Sequence, residues 1–359
     1  MLTAIQKLFN LLFSEDNKEA IRRQFAGILN PIYRRIRYTD EIKRARNIIK
    51  SIEYGYTKNE TDRESLKNDF RGLVHILSDK VDKECLRSKI ENTDIEFRDQ
   101  KMKACYEYTV KYGVRVFCGQ DLQNKTYDDS IVGYDEENEL FFGLYRGKKL
   151  YLPYGSNVSS VLSTINVLEL EQGLLSPHRY LSDAFSVEAG DVVMDIGCAD
   201  GNFALETAEK AGEIYLFEIL DKWQKPLKCS FDIYSKKTHI IRKLVSDVTD
   251  DENNEISIDD FCERNKIDHI DILKADIEGF EEKMLDGAKK MLDAGRIKKI
   301  AICTYHSTKA EENISKMLPN YNLEVNPGYM LYAEEGQWEK LEPPYFVKGV
   351  MHATLKTSK

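Results

Sequence analysis

From about residue 181 onward this sequence predicts an α/β fold, a mainly parallel sheet with helices on both faces, and three observations predict it. Short apolar runs alternate with stretches of helical periodicity, and such alternation builds parallel strands joined by right-handed crossovers. Polar residues able to do chemistry stand where the runs stop: Asp195, Glu218, Asp247, Asp276 and the pair Tyr305 and His306. Parallel sheets bind ligands outside the carboxyl ends of their strands, so these positions converge on one crevice. The first run, Val192 to Ile196, turns through Gly197 and Gly201 into the helix-forming stretch Asn202 to Ala211. Glycines in such a turn let the backbone approach a ligand closely.

The chain opens on a different texture. Met1 to Phe13 is apolar but interrupted by Lys7 and followed by Glu15 and Asp16 without a small-residue cleavage site, which reads as an amphipathic helix and not a signal peptide. Ile42, Ala45, Ile48, Ile49 and Ile52 share one helical face, as do Leu66, Phe70, Leu73, Val74 and Leu77, matching the i, i+3, i+4, i+7 spacing. Asn30 with Pro31 and Tyr54 with Gly55 punctuate them. Residues 1–108 are therefore expected to form a helical N-terminal region. Val114 to Phe117, Glu139 to Tyr145 and Lys148 to Pro153 read as strands, the last two joined by an Arg146 and Gly147 hairpin link. Residues 109–180 should thus add a small antiparallel β element and, over Val161 to Gly173, a linker helix. Pro177 to Tyr180 then precedes a short helix ending near Gly190.

The ligand-binding domain is expected over 181–359. Its strands are placed at 191–195, 213–218, 238–242, 269–275 and 297–303, with helices at about 202–211, 221–235, 257–265, 280–294 and 309–318. Tyr321 to Val325, Gly328 to Tyr332 and Tyr345 to Leu355 read as closing strands that include an antiparallel pair.

The formal net charge of −9 over 359 residues argues against nucleic acid as a partner, because phosphate binding needs clustered Lys and Arg. Residues 1–50 are the basic exception, with eleven Lys and Arg against five Asp and Glu. A weak peripheral membrane contact or an acidic partner would suit them, although a solvated helical face is the simpler account. Seven cysteines lack any Cys-x-x-Cys pairing and read as buried thiols of a reducing compartment, hence a cytoplasmic location. No apolar run reaches the length of a transmembrane helix.

The spacing Asp195-x-Gly197-x-x-x-Gly201 lacks the Gly-x-Gly-x-x-Gly fingerprint of dinucleotide sites. That counts against the first rival reading, a NAD-dependent oxidoreductase or epimerase. A strand-terminal acid with a looser glycine loop is similar to the first motif of S-adenosylmethionine-dependent methyltransferases with a Rossmann-like sheet. In that resemblance a second acid ends the next strand and accepts hydrogen bonds from the ribose. Glu218 stands there, about twenty residues on.

Further along, Ser257-Ile-Asp-Asp-Phe261, the strand end Lys274-Ala-Asp-Ile-Glu-Gly279, Leu285-Asp-Gly-Ala288 and the run Ile300 to His306 follow one another. Together with the glycine loop they resemble the FkbM-type methyltransferase family over roughly residues 180–330. The resemblance implies a class I methyltransferase domain with S-adenosyl-L-methionine as cofactor, and O-methylation of a sugar hydroxyl of a surface glycan or of a secondary metabolite. It places Asp195, Gly197, Cys198, Ala199, Asp200, Gly201, Asn202, Phe203, Glu218, Ile219, Ser246, Asp247 and Asp276 around the cofactor. Many members carry Asn where this chain has Ala199. Residues 1–130 match nothing in the family pattern.

The same residues have a direct physical reading. Asp276 and Glu278 lie close enough to repel and to separate in pKa, which suits acid/base work, although Glu278 could equally cap the following helix. An imidazole such as His306 can take a proton from an acceptor hydroxyl, with Asp276 or Glu278 orienting it or acting instead. Glu278, Tyr305 and His306 are thus expected to meet the acceptor. Trp223, Tyr329 and Tyr332 could stack on a sugar or adenine ring, with core packing as the default. Asp195, Asp276 and Glu278 could supply hard oxygen ligands, but no metal is assigned. A non-catalytic scaffold that keeps the fold is the second rival reading; Asp195, Glu218, Asp276 and His306 together speak against it.

Overall fold

The computed structural model describes residues 79, 82–118, 127–333 and 337–356. The N-terminal helical faces at 42–52 and 66–77, and the basic residues 1–50, lie outside the described residues. Packing divides the chain into two compact units: Met1–Asp94 with Val110–Val114 and Ala333–Glu342, and Ile95–Thr109 with Arg115–Tyr332 and Pro343–Lys359. Within the first, residues 82–91 are helical and bury Leu86 and Ile90. Trp338 Nε1 donates to Asp79 Oδ1 at 2.9 Å, and Lys89 pairs with Glu342 at 2.7 Å.

Helix α1 (Gln100–Tyr112) comes first in chain order. Strands β1 (Val132–Asp135), β2 (Leu140–Tyr145) and β3 (Lys148–Tyr151) then form an antiparallel sheet in that order. The hairpin predicted at Arg146 and Gly147 is present, and both residues have positive φ, 48° and 79°. β1 was not foreseen. Its Gly133 lies under Phe142, where an added Cβ would stand 2.2 Å from the ring, so the aromatic supplies the packing the glycine lacks. Helix α2 (Val158–Glu171) begins with a capping box between Asn157 and Ser160, which satisfies two otherwise unpaired N–H groups.

Two expectations fail ahead of the large sheet, and in the sheet domain itself the helix expected at about 280–294 is broken at Gly287 and Ala288 into two short helices. Val114 to Phe117 forms only an isolated bridge, Phe117 with Met330. No helix precedes Gly190: Ser182 and Phe185 exchange backbone hydrogen bonds, and Ser182 Oγ accepts a further one from Phe185 N. That tight turn uses the donors a helix would need.

The large sheet is laid down by β4 (Val192–Ile196), helix α3 (Asn202–Thr207), β5 (Glu213–Phe217), helix α4 (Asp221–Ser230) and β6 (Thr238–Ile241). A two-residue pair, β7 (Leu244–Val245) with β8 (Glu255–Ile256), leads to helix α5 (Ile258–Asn265) and β9 (Ile270–Ala275). Helices α6 (Glu281–Asp286) and α7 (Lys289–Asp293), β10 (Ile297–Cys303), helix α8 (Ala310–Met317) and β11 (Tyr321–Val325) follow. β12 (Met330–Leu331) pairs with β13 (Phe346–Val347), and β14 (Val350–Leu355) ends the sheet. The strand order is β11-β14-β10-β9-β4-β5-β6. β10, β9, β4, β5 and β6 are parallel, while β14 runs antiparallel between β10 and β11. The chain starts at the centre, builds outward through β6, and returns to β9 on the other side of β4. The loops after β4 and β9 therefore diverge, which opens a crevice at that switch point.

Alternate strand residues feed two cores, as the pleat requires. Val193, Ile214, Leu216, Ile272 and Ala301 pack with residues of α2, α3, α4 and the hairpin. Met194, Ile196, Leu273, Ala275, Ile300 and Met351 pack with residues of α5 to α8. The motif around Ser257 is scaffolding for this second layer. Ser257 caps α5 by accepting from Asp260 N at 3.2 Å, and Asp259 accepts from Lys290 N and Met291 N at 2.8 and 2.9 Å, capping α7. Gly287 is needed between α6 and α7 because a Cβ there would stand 2.1 Å from Ser246 O.

Candidate active site

The crevice is built from strand ends. Gly197, with φ of 67°, lies so close to the turn after β9 that an added Cβ would stand 2.0 Å from Asp276 O. Its amide and that of Cys198 donate to Phe217 O at 3.0 and 3.1 Å, which ties the loop to β5. Ala199 follows at φ 46°, a left-handed conformation that Asn or Gly tolerates better. Ala199 N donates to Glu218 Oε2 at 3.0 Å, and Leu220 N to Glu218 Oε1 at 2.7 Å. Glu218 thus binds both the loop and its own turn, with a lone pair left on each oxygen. Ile219 and Leu220 stand exposed beside it, an apolar edge next to the acid.

Asp195 is fully buried, directly beside Lys274 in the β4–β9 register. Lys274 Nζ lies 3.1 Å from Asp195 Oδ1 and donates to Gly197 O at 2.7 Å. Burial opposes the Lys274 charge, but the carboxylates of Asp195 and Asp276 raise its pKa. Asp195 therefore supports the glycine loop from below. Phe203 is likewise a core residue, 1% exposed, so only its backbone could face a ligand. Asp200 accepts from Asn202 N at 2.9 Å, and burial pushes its carboxyl up to about 7. Gly201 caps α3 at φ 79°. Ser246 is buried and donates through Oγ to the exposed Asp247 Oδ1 at 2.9 Å.

Asp276 is the hub on the other side of the crevice. Tyr180 OH donates to Oδ2 and Tyr305 OH to Oδ1, both at 2.8 Å, while His178 Nε2 lies 3.4 Å from Oδ2. Burial raises the Asp276 carboxyl, but His178, Lys274 and His306 together hold it well below the usual carboxylate range. Glu278 sits at the rim with φ 52° and a side chain 78% exposed; its Oε2 accepts from Tyr332 OH at 2.7 Å. His306 is buried between them. Its Nε2 lies 3.4 Å from Glu278 Oε2 and 3.6 Å from Asp276 Oδ1, and its Nδ1 lies 2.9 Å from Glu281 Oε1. Burial opposes an imidazolium, yet the carboxylates of Glu278, Glu281 and Asp276 outweigh it and raise the pKa to about 10.

The structure therefore brings together Asp276, Glu278, Tyr305 and His306, and separately the 197–201 loop with Glu218. It also recruits residues that spacing did not single out. Tyr180 and His178 come from the turn before the domain, Lys274 from the interior of β9, and Glu281 from the first turn of α6. Glu281 had a signal, since it stands three residues after Glu278 and five after Asp276. His178 and Tyr180 had only their place after Pro177. Of the aromatic candidates, Tyr332 packs T-shaped against Tyr305 and His306. Tyr329 is buried and donates to Asp99 Oδ2 at 2.9 Å, and Trp223 packs against the core.

Residues 187–325 match the family model described as the methyltransferase FkbM domain. Among solved structures, the chain is similar to methyltransferase FkbM from Methylobacillus flagellatus KT, at 16% identity over 56% of this chain and 56% of that chain, with a TM-score of 0.36. An rRNA methylase from Streptococcus thermophilus is similar at 16% identity over 47% of this chain and 90% of its own, TM-score 0.31. Magnesium protoporphyrin IX methyltransferase from Synechocystis PCC 6803, solved with bound SAM, is similar at 12% identity over 47% and 71%, TM-score 0.31. No curated protein matches the chain. The matched segment runs from the turn before β4 through β11 and holds every strand-end acid described above. Residues 187–325 therefore match a methyltransferase FkbM domain, carried on a mainly parallel sheet whose antiparallel β14 lies between β10 and β11.

Proposed function

We propose that this chain transfers a methyl group from S-adenosylmethionine to a hydroxyl oxygen, the acceptor being a sugar of a surface glycan or a secondary metabolite. The observation that carries this reading is the pairing of two sites at the carboxyl end of one sheet: a glycine loop hydrogen-bonded to Glu218, and a proton-handling cluster around Asp276. The first suits the cofactor. Gly197 leaves no room for a side chain, so main chain lines the crevice there, and the spare lone pairs of Glu218 suit a ribose diol beside the apolar Ile219 edge.

S-adenosylmethionine, when bound, supplies a methyl group activated by its sulfonium charge and becomes a neutral thioether on losing it. The residues of this chain have to hold the acceptor oxygen in line and remove one proton as the new C–O bond forms. Asp276 already receives two tyrosine hydroxyls and is a poor acceptor of a further proton. His306 stands among three carboxylates that keep it charged, so it has no lone pair to offer. Glu278, exposed at the rim, is the group placed to take the proton, although its hydrogen bonds to His306 and Tyr332 lower its carboxyl. His306 and Tyr332 then fix the angle of its carboxylate.

Calorimetric titration with S-adenosylhomocysteine, set against NAD, tests the cofactor. Binding of NAD with no binding of S-adenosylhomocysteine would sink the reading. With an acceptor found by mass-spectrometric screening of sugars, Glu278→Gln should lower turnover by about 10²–10⁴ while S-adenosylhomocysteine affinity stays unchanged. Wild-type turnover in that variant removes Glu278 from the chemistry.

A further inference from the structure

We infer that Glu171, at the end of α2, is a cofactor-binding residue whose carboxylate recognises the positive sulfonium at the point of transfer. The inference rests on the reading of S-adenosylmethionine as cofactor, and it adds a residue outside the matched segment 187–325. Glu171 is the last residue of α2, and the end of that helix is fastened to the crevice wall. The buried Gln172 donates through Nε2 to His178 O at 3.2 Å and accepts from Tyr180 N through Oε1 at 3.0 Å. His178 and Tyr180 in turn reach Asp276. Helix end, turn and strand end are thus joined into one corner of the crevice.

Among the described residues no hydrogen bond or ion pair engages the Glu171 carboxylate. The basic groups around it are committed elsewhere. Arg146 pairs with Glu206 and Glu169 and donates to Gln172 O at 3.1 Å. Lys274 is held by Asp195 and Gly197 O, and His178 by Asp276. The last turn of a helix, with its negative carbonyl ends, is also a poor place for an acid. Burial is the largest influence on the carboxyl and raises it; His178 and Lys274 counter burial, Asp276 adds to it, and the net direction is upward. A positive ligand would supply the compensation that the fold withholds. Where that charge belongs follows from what Glu171 faces. It acts on Asp200 in the glycine loop and on Tyr180, Tyr305 and Asp276 across the crevice. The methyl has to pass between the cofactor loop and that cluster, so a group facing both faces the reacting sulfur. Because transfer leaves a neutral thioether, the attraction that draws the cofactor in is gone when the product leaves. Glu171 therefore serves affinity and exchange more than the chemical step.

Calorimetric titration of the full chain with three ligands tests this without an acceptor. They are S-adenosylmethionine, sinefungin, which carries an ammonium group in place of the methylated sulfonium, and S-adenosylhomocysteine, which is neutral at sulfur. The wild type should prefer the two cationic ligands, and Glu171→Gln should remove roughly tenfold of that preference while S-adenosylhomocysteine affinity stays within about twofold. Glu171→Asp, which keeps the charge, should retain part of it. Glu312→Gln, on α8 and paired with Lys316, should retain all of it. The thermal midpoint of Glu171→Gln should stay level or rise, because no partner is lost; a fall would assign the carboxylate a structural role instead. Equal weakening of all three ligands would put Glu171 on a part of the cofactor they share and overturn the inference, as would an unchanged preference. A wild type that binds all three equally overturns the sulfonium assignment alone. One that binds none of them overturns the cofactor reading and this inference with it.

Discussion

Ala199 shows how one residue can carry a cost for the geometry around it. Its left-handed backbone aims the amide at Glu218, and a Cβ in that conformation costs about 1–2 kcal/mol. Ala199→Gly should therefore raise stability by about 0.5–1 kcal/mol once the larger chain entropy of glycine is set against the relief. A fall in the thermal midpoint would show that the loop does not hold this conformation. Asp200 gives a pH signature with a definite sign. Its folded pKa, raised by burial to about 7 from 3.8, means the native state keeps a proton that the unfolded chain releases. Stability is unaffected by this group below pH 3.8, falls as pH rises through the interval to 7, and is then lower by a constant ~4 kcal/mol. Asp200→Asn, which can still accept from Asn202 N, should stabilise the protein at pH 8 and much less at pH 4; equal gains at both would refute the buried carboxyl. At this scale the sequence was legible wherever a residue ends an apolar run, as at Glu218, Asp276 and His306. It was silent on Tyr180 and His178, whose partners lie nearly a hundred residues away.

At the scale of elements, β9 is the one on which both halves of the crevice depend. Its residues are all buried, and the run is apolar apart from Asp271 near its start and Lys274 near its end. Lys274 is where a strand ordinarily carries Val or Ile, and the structure explains it by the Asp195 charge one strand away. Removing one member of a buried pair leaves the other uncompensated, so Lys274→Met should cost about 3–5 kcal/mol, read as a shift of the denaturant midpoint. A loss under 1 kcal/mol would mean that Asp195 is protonated in the folded state. The strands of the parallel core were legible to within a residue or two because continuous apolar runs are unambiguous there. The elements that escaped, β1 and the turn at Ser182 to Phe185, are held by partners distant in sequence or by side-chain hooks. Gly133 makes sense only under Phe142, and the spacing of Leu181, Ala184 and Phe185 mimics one turn of helix.

Across the sheet domain as a whole, the large sheet separates the two cores, and the acids gather at the carboxyl ends of its inner strands. The notable departure from a simple outward count of strands is β14, placed between β10 and β11. During synthesis β11 emerges with no hydrogen-bonding neighbour, and β10 keeps a bare edge until residues 350–355 arrive. Two open strand edges are templates for pairing with other chains. A chain cut before Val350 should accordingly aggregate instead of settling as a smaller domain, which sedimentation of the truncated protein would reveal; a soluble, S-adenosylhomocysteine-binding monomer would contradict this. The crevice, although encoded entirely upstream, would then be protected in the cell only from the moment the final strand of its sheet slides into the gap.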